Sequence, residues 1–222
     1  MGLFPENHYF SPNFIFKRFQ KILEKCGTEY VMKKSKFQKE REAWIAALYL
    51  VGLSKNNNKE FWVGIEEVEE TPDTYGVALR DIGKGNSLDK LNIEVCEWEN
   101  HSQLSLSDHI KRKLKEKKYP NYFILLCYVH HRSGEKVDLD EIYKKIMDEK
   151  YNVSEIFVVA SQQNNQYDHF IARLYPNRLK IEFNRQEEIL RLTNQIDIIS
   201  TSRGTEKTFT PLGLKEINLP EC

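Results

Sequence analysis

The spacing of apolar residues changes period along the chain, and those changes mark its elements. Phe14, Ile15, Phe19, Ile22, Leu23 and Cys26 recur at helical intervals. Ser11-Pro12 supplies an N-cap and a first-turn proline and Gly27 a stop, so the pattern predicts a helix over 11–26. A second helix is predicted over 36–53, where Phe37, Trp44, Ala47, Leu48 and Val51 share a stripe whose flanks are also apolar. Such a helix is buried on more than one side. Past Asn56, Asn57 and Asn58 the period shortens to that of strands, predicted at 61–68 and 74–82 with a turn at 69–72. Residues 83–87 read as a loop by composition. A third strand at 91–98 sets Ile93 and Val95 on one face and Glu94 and Cys96 on the other.

Ser105 opens a helix predicted to run to about residue 118. The near-continuous apolar run 122–129 is that of a strand covered on both faces. A helix at 139–150, a buried strand at 155–160, strands at 167–174 and 178–183 and a helix at 186–192 follow. Residues 200–210 are polar, and Pro211, Leu212, Leu214, Ile217 and Leu219 have the composition of a docking tail. The order implies an α/β fold with a central mixed sheet flanked by helices. With 222 residues and no internal repeat, one domain over 1–222 is expected, its core at about 36–160 and further strands, a helix and a tail at 161–222.

Composition narrows the function classes. Lysine plus arginine (33) equals aspartate plus glutamate (33), so any contact with nucleic acid must come from a local groove. No apolar run approaches bilayer length, and the N-terminal residues lack signal-peptide character. The expectation is a cytoplasmic chain without a membrane partner. Cys26, Cys96, Cys127 and Cys222 lack metal-ligand spacing and are expected as reduced thiols, with Cys127 inert inside an apolar strand.

The candidate chemistry lies between Pro72-Asp73 and Glu94-Val95-Cys96. An aspartate opening one strand and a glutamate within the next can set two carboxylates side by side, a cradle for a hard cation such as Mg2+. Taken singly, Pro-Asp is ordinary turn chemistry and a strand glutamate an ordinary solvated face. A helical acid could reach in from the second helix: Glu40 falls about 40° from Trp44 on the buried stripe, and Glu42 falls on the opposite side.

A helix bearing a glutamate, a hairpin strand opened by Pro-Asp, a strand carrying Glu-x-x, then a helix and a buried strand: over 36–160 the chain resembles the PD-(D/E)XK nuclease superfamily, with its restriction-endonuclease-like fold. The resemblance implies a Mg2+-dependent (or Mn2+-dependent) hydrolase of DNA phosphodiester bonds. Asp73 and Glu94 would be its metal ligands and Glu40 the supporting acid. The family lysine is replaced by Cys96, and a thiolate beside two carboxylates is disfavoured. Either a cation arrives from elsewhere, with Arg80, Lys111 and Lys115 as donors, or two metals compensate, or the core survives as an inactive DNA-binding or scaffolding protein. The basic run 109–118 offers Lys111, Arg112 and Lys115 as phosphate contacts, against the plainer reading of a solvated amphipathic helix. Residues 166–222 are open to a homodimer surface or to target recognition.

Overall fold

A computed structural model describes residues 8–65, 72–81, 86–99, 104–117, 119–130, 137–162, 165–192, 195–201, 209–211 and 219–222. Its helices begin where the sequence supplies caps. Helix α1 (Pro12–Cys26) is capped by the Ser11 hydroxyl, which accepts the Phe14 N–H at 3.1 Å, and it stops at Gly27, whose φ is +84°. A short helix α2 (Thr28–Lys33) and a 3-10 turn (Ser35–Phe37) lead into α3 (Gln38–Asn57), which ends at the left-handed Asn58. Helix α3 lies between α1 and the sheet, which explains its apolar residues on almost every side.

The strands are β1 (His8–Phe10), β2 (Trp62–Ile65), β3 (Thr74–Asp81), β4 (Asn86–Glu99), β5 (Phe123–His130), β6 (Glu155–Gln162), β7 (Asn165–Tyr175), β8 (Leu179–Asn184), β9 (Ile198–Thr201) and β10 (Phe209–Pro211). They form one sheet in the order β10-β9-β1-β2-β3-β4-β5-β6-β7-β8. Among the described strands only β4-β5 and β5-β6 are parallel. Those two pairs are bridged by α4 (Leu106–Glu116) and α5 (Leu139–Met147), as parallel neighbours require a crossover. The short α6 (Arg185–Arg191) packs with α3, β7 and β8.

Two cores result. On one face α1 and α3 cover Ile93, Leu126 and Val159; on the other α4 and α5 cover Cys96, Cys127 and Val158. The alternation of β4 therefore holds, with Ile93 and Glu94 on opposite faces. Helix α3 approaches β3 so closely that a Cβ added at Gly76 would lie 2.6 Å from Leu50 Cδ2. That approach carries the start of α3 toward the start of β3.

The mixed, helix-flanked α/β sheet is as expected from the sequence, and its edges are not. Strand β4 starts at Asn86, inside the expected loop, and residues 83–85 and the turn at 69–71 lie outside the described residues. The stretch 200–210 contains the end of β9 and the start of β10, with β9 antiparallel to the unanticipated β1. Strands of three and four residues are too short to show a period. Of the expected tail, Leu212, Leu214 and Ile217 lie outside the described residues, while Leu219 docks against the cluster of Phe19, Ile22 and Phe37.

The cysteine expectation is corrected in part. Cys26 and Cys222 form a disulfide with Cα atoms 5.3 Å apart, and Lys25 and Lys36 donate to the carbonyls of Pro220 and Glu221 at 3.2 and 3.1 Å. A separation of 196 residues hides this pairing from any spacing rule. Cys96 and Cys127 are free and buried. Among the described residues no helix is long and apolar enough to cross a membrane.

Candidate functional site

Register brings the two sequence-predicted acids together. Thr74 pairs with Ile93, so Asp73, one residue before β3, stands level with Glu94. The Val95 N–H donates to Asp73 Oδ2 at 2.9 Å and fixes that carboxylate against β4. Glu94 points to the α4 side and is buried; its Oε1 receives Lys117, at the C-cap of α4, and lies 3.5 Å from the Tyr119 hydroxyl. Its Oε2 is buried with no hydrogen-bond partner among the described residues.

The helical acid beside this pair is Glu42. Lys39 Nζ lies 3.1 Å from Glu42 Oε2 and 3.6 Å from Asp73 Oδ1, and Gln38 donates to Glu42 Oε1 at 2.7 Å. Glu40 turns instead to α1, where Arg18 holds it at 2.7 Å. Helical phase places Glu40 near Trp44 on the buried stripe of α3. Trp44 actually lies against Phe19 of α1 as well as Tyr128 of β5, so Glu40 shares the α1 side and Glu42 reaches the sheet.

Lys117, which was not among the cations named from the sequence, is the one that contacts Glu94. The signal was present in the topology. A crossover helix runs back antiparallel to its strands, so the end of α4 returns to the level where β4 and β5 meet at Asn92 and Phe123. Of the cations named from the sequence, Lys111 binds Glu149 at 2.7 Å and Arg112 lies 3.5 Å from Glu116. Lys115 is exposed, and the Arg80 side chain lies outside the described residues.

The electrostatics are those of crowded acid groups. Burial, then the field of Asp73, pushes the carboxyls of Glu42 and Glu94 above the usual carboxylate range; their lysine and amide partners offset only part. Burial works against the Lys117 ammonium, but its hydrogen bond to Glu94 and the fields of Glu94, Asp73 and Glu42 hold its pKa above the ordinary lysine value. Burial beside Glu94 raises the Tyr119 phenol, which stays protonated as a donor.

A stability prediction follows from the sign of these shifts. A carboxyl raised on folding binds more protons folded than unfolded, so its contribution to stability falls as pH rises through that window. Glu42→Gln will therefore stabilise the metal-free protein at neutral pH, by on the order of 1 kcal/mol or roughly 2–4 °C in Tm. The gain will shrink toward acid pH. Thermal melts of both proteins at two pH values measure it; a variant that melts lower at neutral pH contradicts the crowding.

A second cluster lies further along the same face of β4. Cys96, Cys127 and His109 place one ligand atom each within 4.8 Å of one another, all buried, forming a triad capable of holding a metal ion. The hydrogen bond with Cys127 brings the Cys96 thiol down to about 6 against the cost of burial, with His109 and Lys113 also favouring the thiolate. The same hydrogen bond, then burial, pushes Cys127 up. The sequence reading disfavoured a thiolate because it set Cys96 among carboxylates; the sulfur meets Cys127 and His109 instead. Spacing could not reveal the triad, since its members come from β4, α4 and β5.

On the opposite face Glu97 Oε2 lies 2.7 Å from His130 Nε2, and Oε1 accepts from Arg41 at 3.1 Å. A cavity of about 790 Å³ opens elsewhere, between α1, β7 and α6, lined by Phe16, Lys17, Tyr167 and Arg185 and by none of the clustered acids. No family model matches the chain, and no curated protein matches it.

Proposed function

We propose that the protein is a Mg2+-dependent nuclease acting on DNA phosphodiester bonds, with a restriction-endonuclease-like core formed by α3-β2-β3-β4-α4-β5. The observation that carries this reading is the convergence of Asp73, Glu94 and Glu42 with Lys117, a cation supplied from the end of α4 where Cys96 supplies none. The residues suit a hard divalent ion: an unpartnered buried oxygen on Glu94 and mutually repelling carboxylates are what oxygen-ligand sites offer. Asp73 and Glu94 would hold Mg2+ or Mn2+, with Glu42 in support. The ion would polarise the phosphoryl oxygen and lower the pKa of bound water.

The chain's own residues do the positioning. The Val95 amide fixes Asp73, and Tyr119 and Lys117 orient Glu94. The half-exposed Lys117 ammonium, held against Glu94, would balance charge that builds on a phosphate bound at these acids. Lys111, Arg112 and Lys115 of α4 are proposed phosphate contacts, which add affinity without reading sequence.

The test is incubation of the purified chain with plasmid and linear DNA in Mg2+, in Mn2+ and in chelator, with Asp73→Asn in parallel. Cleavage is expected only with metal and only for the wild-type chain. Equal cleavage by the variant identifies a contaminant. Metal-independent DNA binding without cleavage replaces the enzyme with a scaffold that keeps the nuclease core.

A further inference from the structure

We propose that Cys96, His109 and Cys127 form a second metal site, chemically distinct from the acids and selective for a thiophilic d10 divalent cation, zinc. The inference stands on the geometry of the triad and does not depend on the nuclease reading. Cys96 and Cys127 are register partners on the parallel strands β4 and β5, so their sulfurs leave the sheet side by side toward α4. His109, in the first turn of α4, closes the third corner, with the three ligand atoms within 4.8 Å of one another. His109 is 8% exposed, and its Nε2 is buried without a hydrogen-bond partner among the described residues. A buried polar atom left so is destabilising, and a metal bond would remove that cost.

Ligand softness selects the ion. Two sulfurs and an imidazole suit zinc and not magnesium, which takes oxygen ligands. Charge selects between zinc and a monovalent soft ion: two thiolates and neutral histidine around Zn2+ sum to zero, the arrangement least costly to bury. Three protein ligands leave one further coordination position. Because the ligands come from two strands and the helix above them, zinc would clamp α4 to the sheet, and α4 ends at Lys117 beside Glu94. The triad thus places a structural clamp on the element that supplies the site's cation.

Cobalt(II) is the probe. The wild-type chain is used with its Cys26–Cys222 disulfide intact and without reductant, so that Cys96 and Cys127 are its only thiols. One equivalent of Co2+ should give thiolate-to-cobalt charge-transfer absorption, which one equivalent of Zn2+ abolishes. Cys96→Ser should lose that absorption, His109→Ala should weaken it, and Glu94→Gln should leave it unchanged. Hydrogen exchange of the α4 amides should slow at least several-fold on zinc loading. Absence of thiolate–cobalt absorption in the folded wild-type chain overturns the proposal without reference to any variant. Absorption that persists in Cys96→Ser, or disappears in Glu94→Gln, overturns it as well.

Discussion

Replacing Arg18 with alanine will destabilise the protein by about 3–5 kcal/mol, the range for breaking a buried ion pair by removing one partner. Both side chains are 2% exposed, and the guanidinium makes three hydrogen bonds to the Glu40 carboxylate at 3.2, 3.2 and 2.7 Å. Without Arg18 the carboxylate has no described charge partner in the layer between α1 and α3. Burial already pushes the Glu40 carboxyl up, and Arg18 is what pulls it back. In the variant Glu40 will take up a proton at higher pH than in the wild type, so the loss will be largest at neutral pH and smaller in acid. For a chain of this size the neutral-pH loss corresponds to roughly 6–20 °C in Tm. Arg18→Met with Glu40→Leu will recover much of it, since well-packed apolar residues often replace a buried pair without loss. A single variant melting within about 2 °C of wild type at neutral pH contradicts the argument. The double variant also tests the place of Glu40: turned away from Asp73, it should be dispensable for cleavage once the fold is restored.

The elements that a sequence displays best are those whose period is fixed by one environment. Helix α1, strand β5 and the facing stretches of β3 and β4 around Thr74 and Ile93 each have a constant partner, so capping, an apolar run and alternation mark them. Asp73 and Glu94 were legible for the same reason: antiparallel register is local. Glu42 was not, because α3 is buried against two layers and an apolar stripe there no longer says which layer an acid faces. Lys117 and the Cys96–His109–Cys127 triad depend on a crossover, and spacing along the chain carries no trace of which helical turn returns to which strand level. Strands β1, β9 and β10, at one end of the sheet, and the Cys26–Cys222 bond depend on segments far apart in the sequence meeting, the longest-range information in the fold.

On the proposed nuclease reading, Lys117→Ala will lower the rate of metal-dependent cleavage by roughly 10²–10³-fold, the cost of removing one preorganised donor to developing charge. DNA affinity should change little, because one exposed lysine is a small part of a phosphate interface. Lys117→Arg keeps the charge but alters its shape, and should recover part of the rate. The pH profile separates this role from a merely structural one. Lys117 is held above the ordinary lysine value, so it remains charged at neutral pH and acts as a cation, not as a base. On the same reading the acid limb of the rate would belong to Glu94 and Glu42, whose carboxyls burial and Asp73 hold above the usual range. Lys117 is the partner that eases the ionisation of Glu94, so Lys117→Ala should shift the acid limb to higher pH as well as lower the plateau. An unchanged limb, or an unchanged rate, removes Lys117 from the site. Returning a lysine to position 96 should not rescue Lys117→Ala. The Cys96 side chain is buried among Trp98, Leu106 and Ile110 beside Cys127 and His109, where a lysine would be a desolvated cation aimed into the α4 layer. Along one strand Glu94 thus meets Lys117 from the end of α4, while Cys96 meets Cys127 and His109.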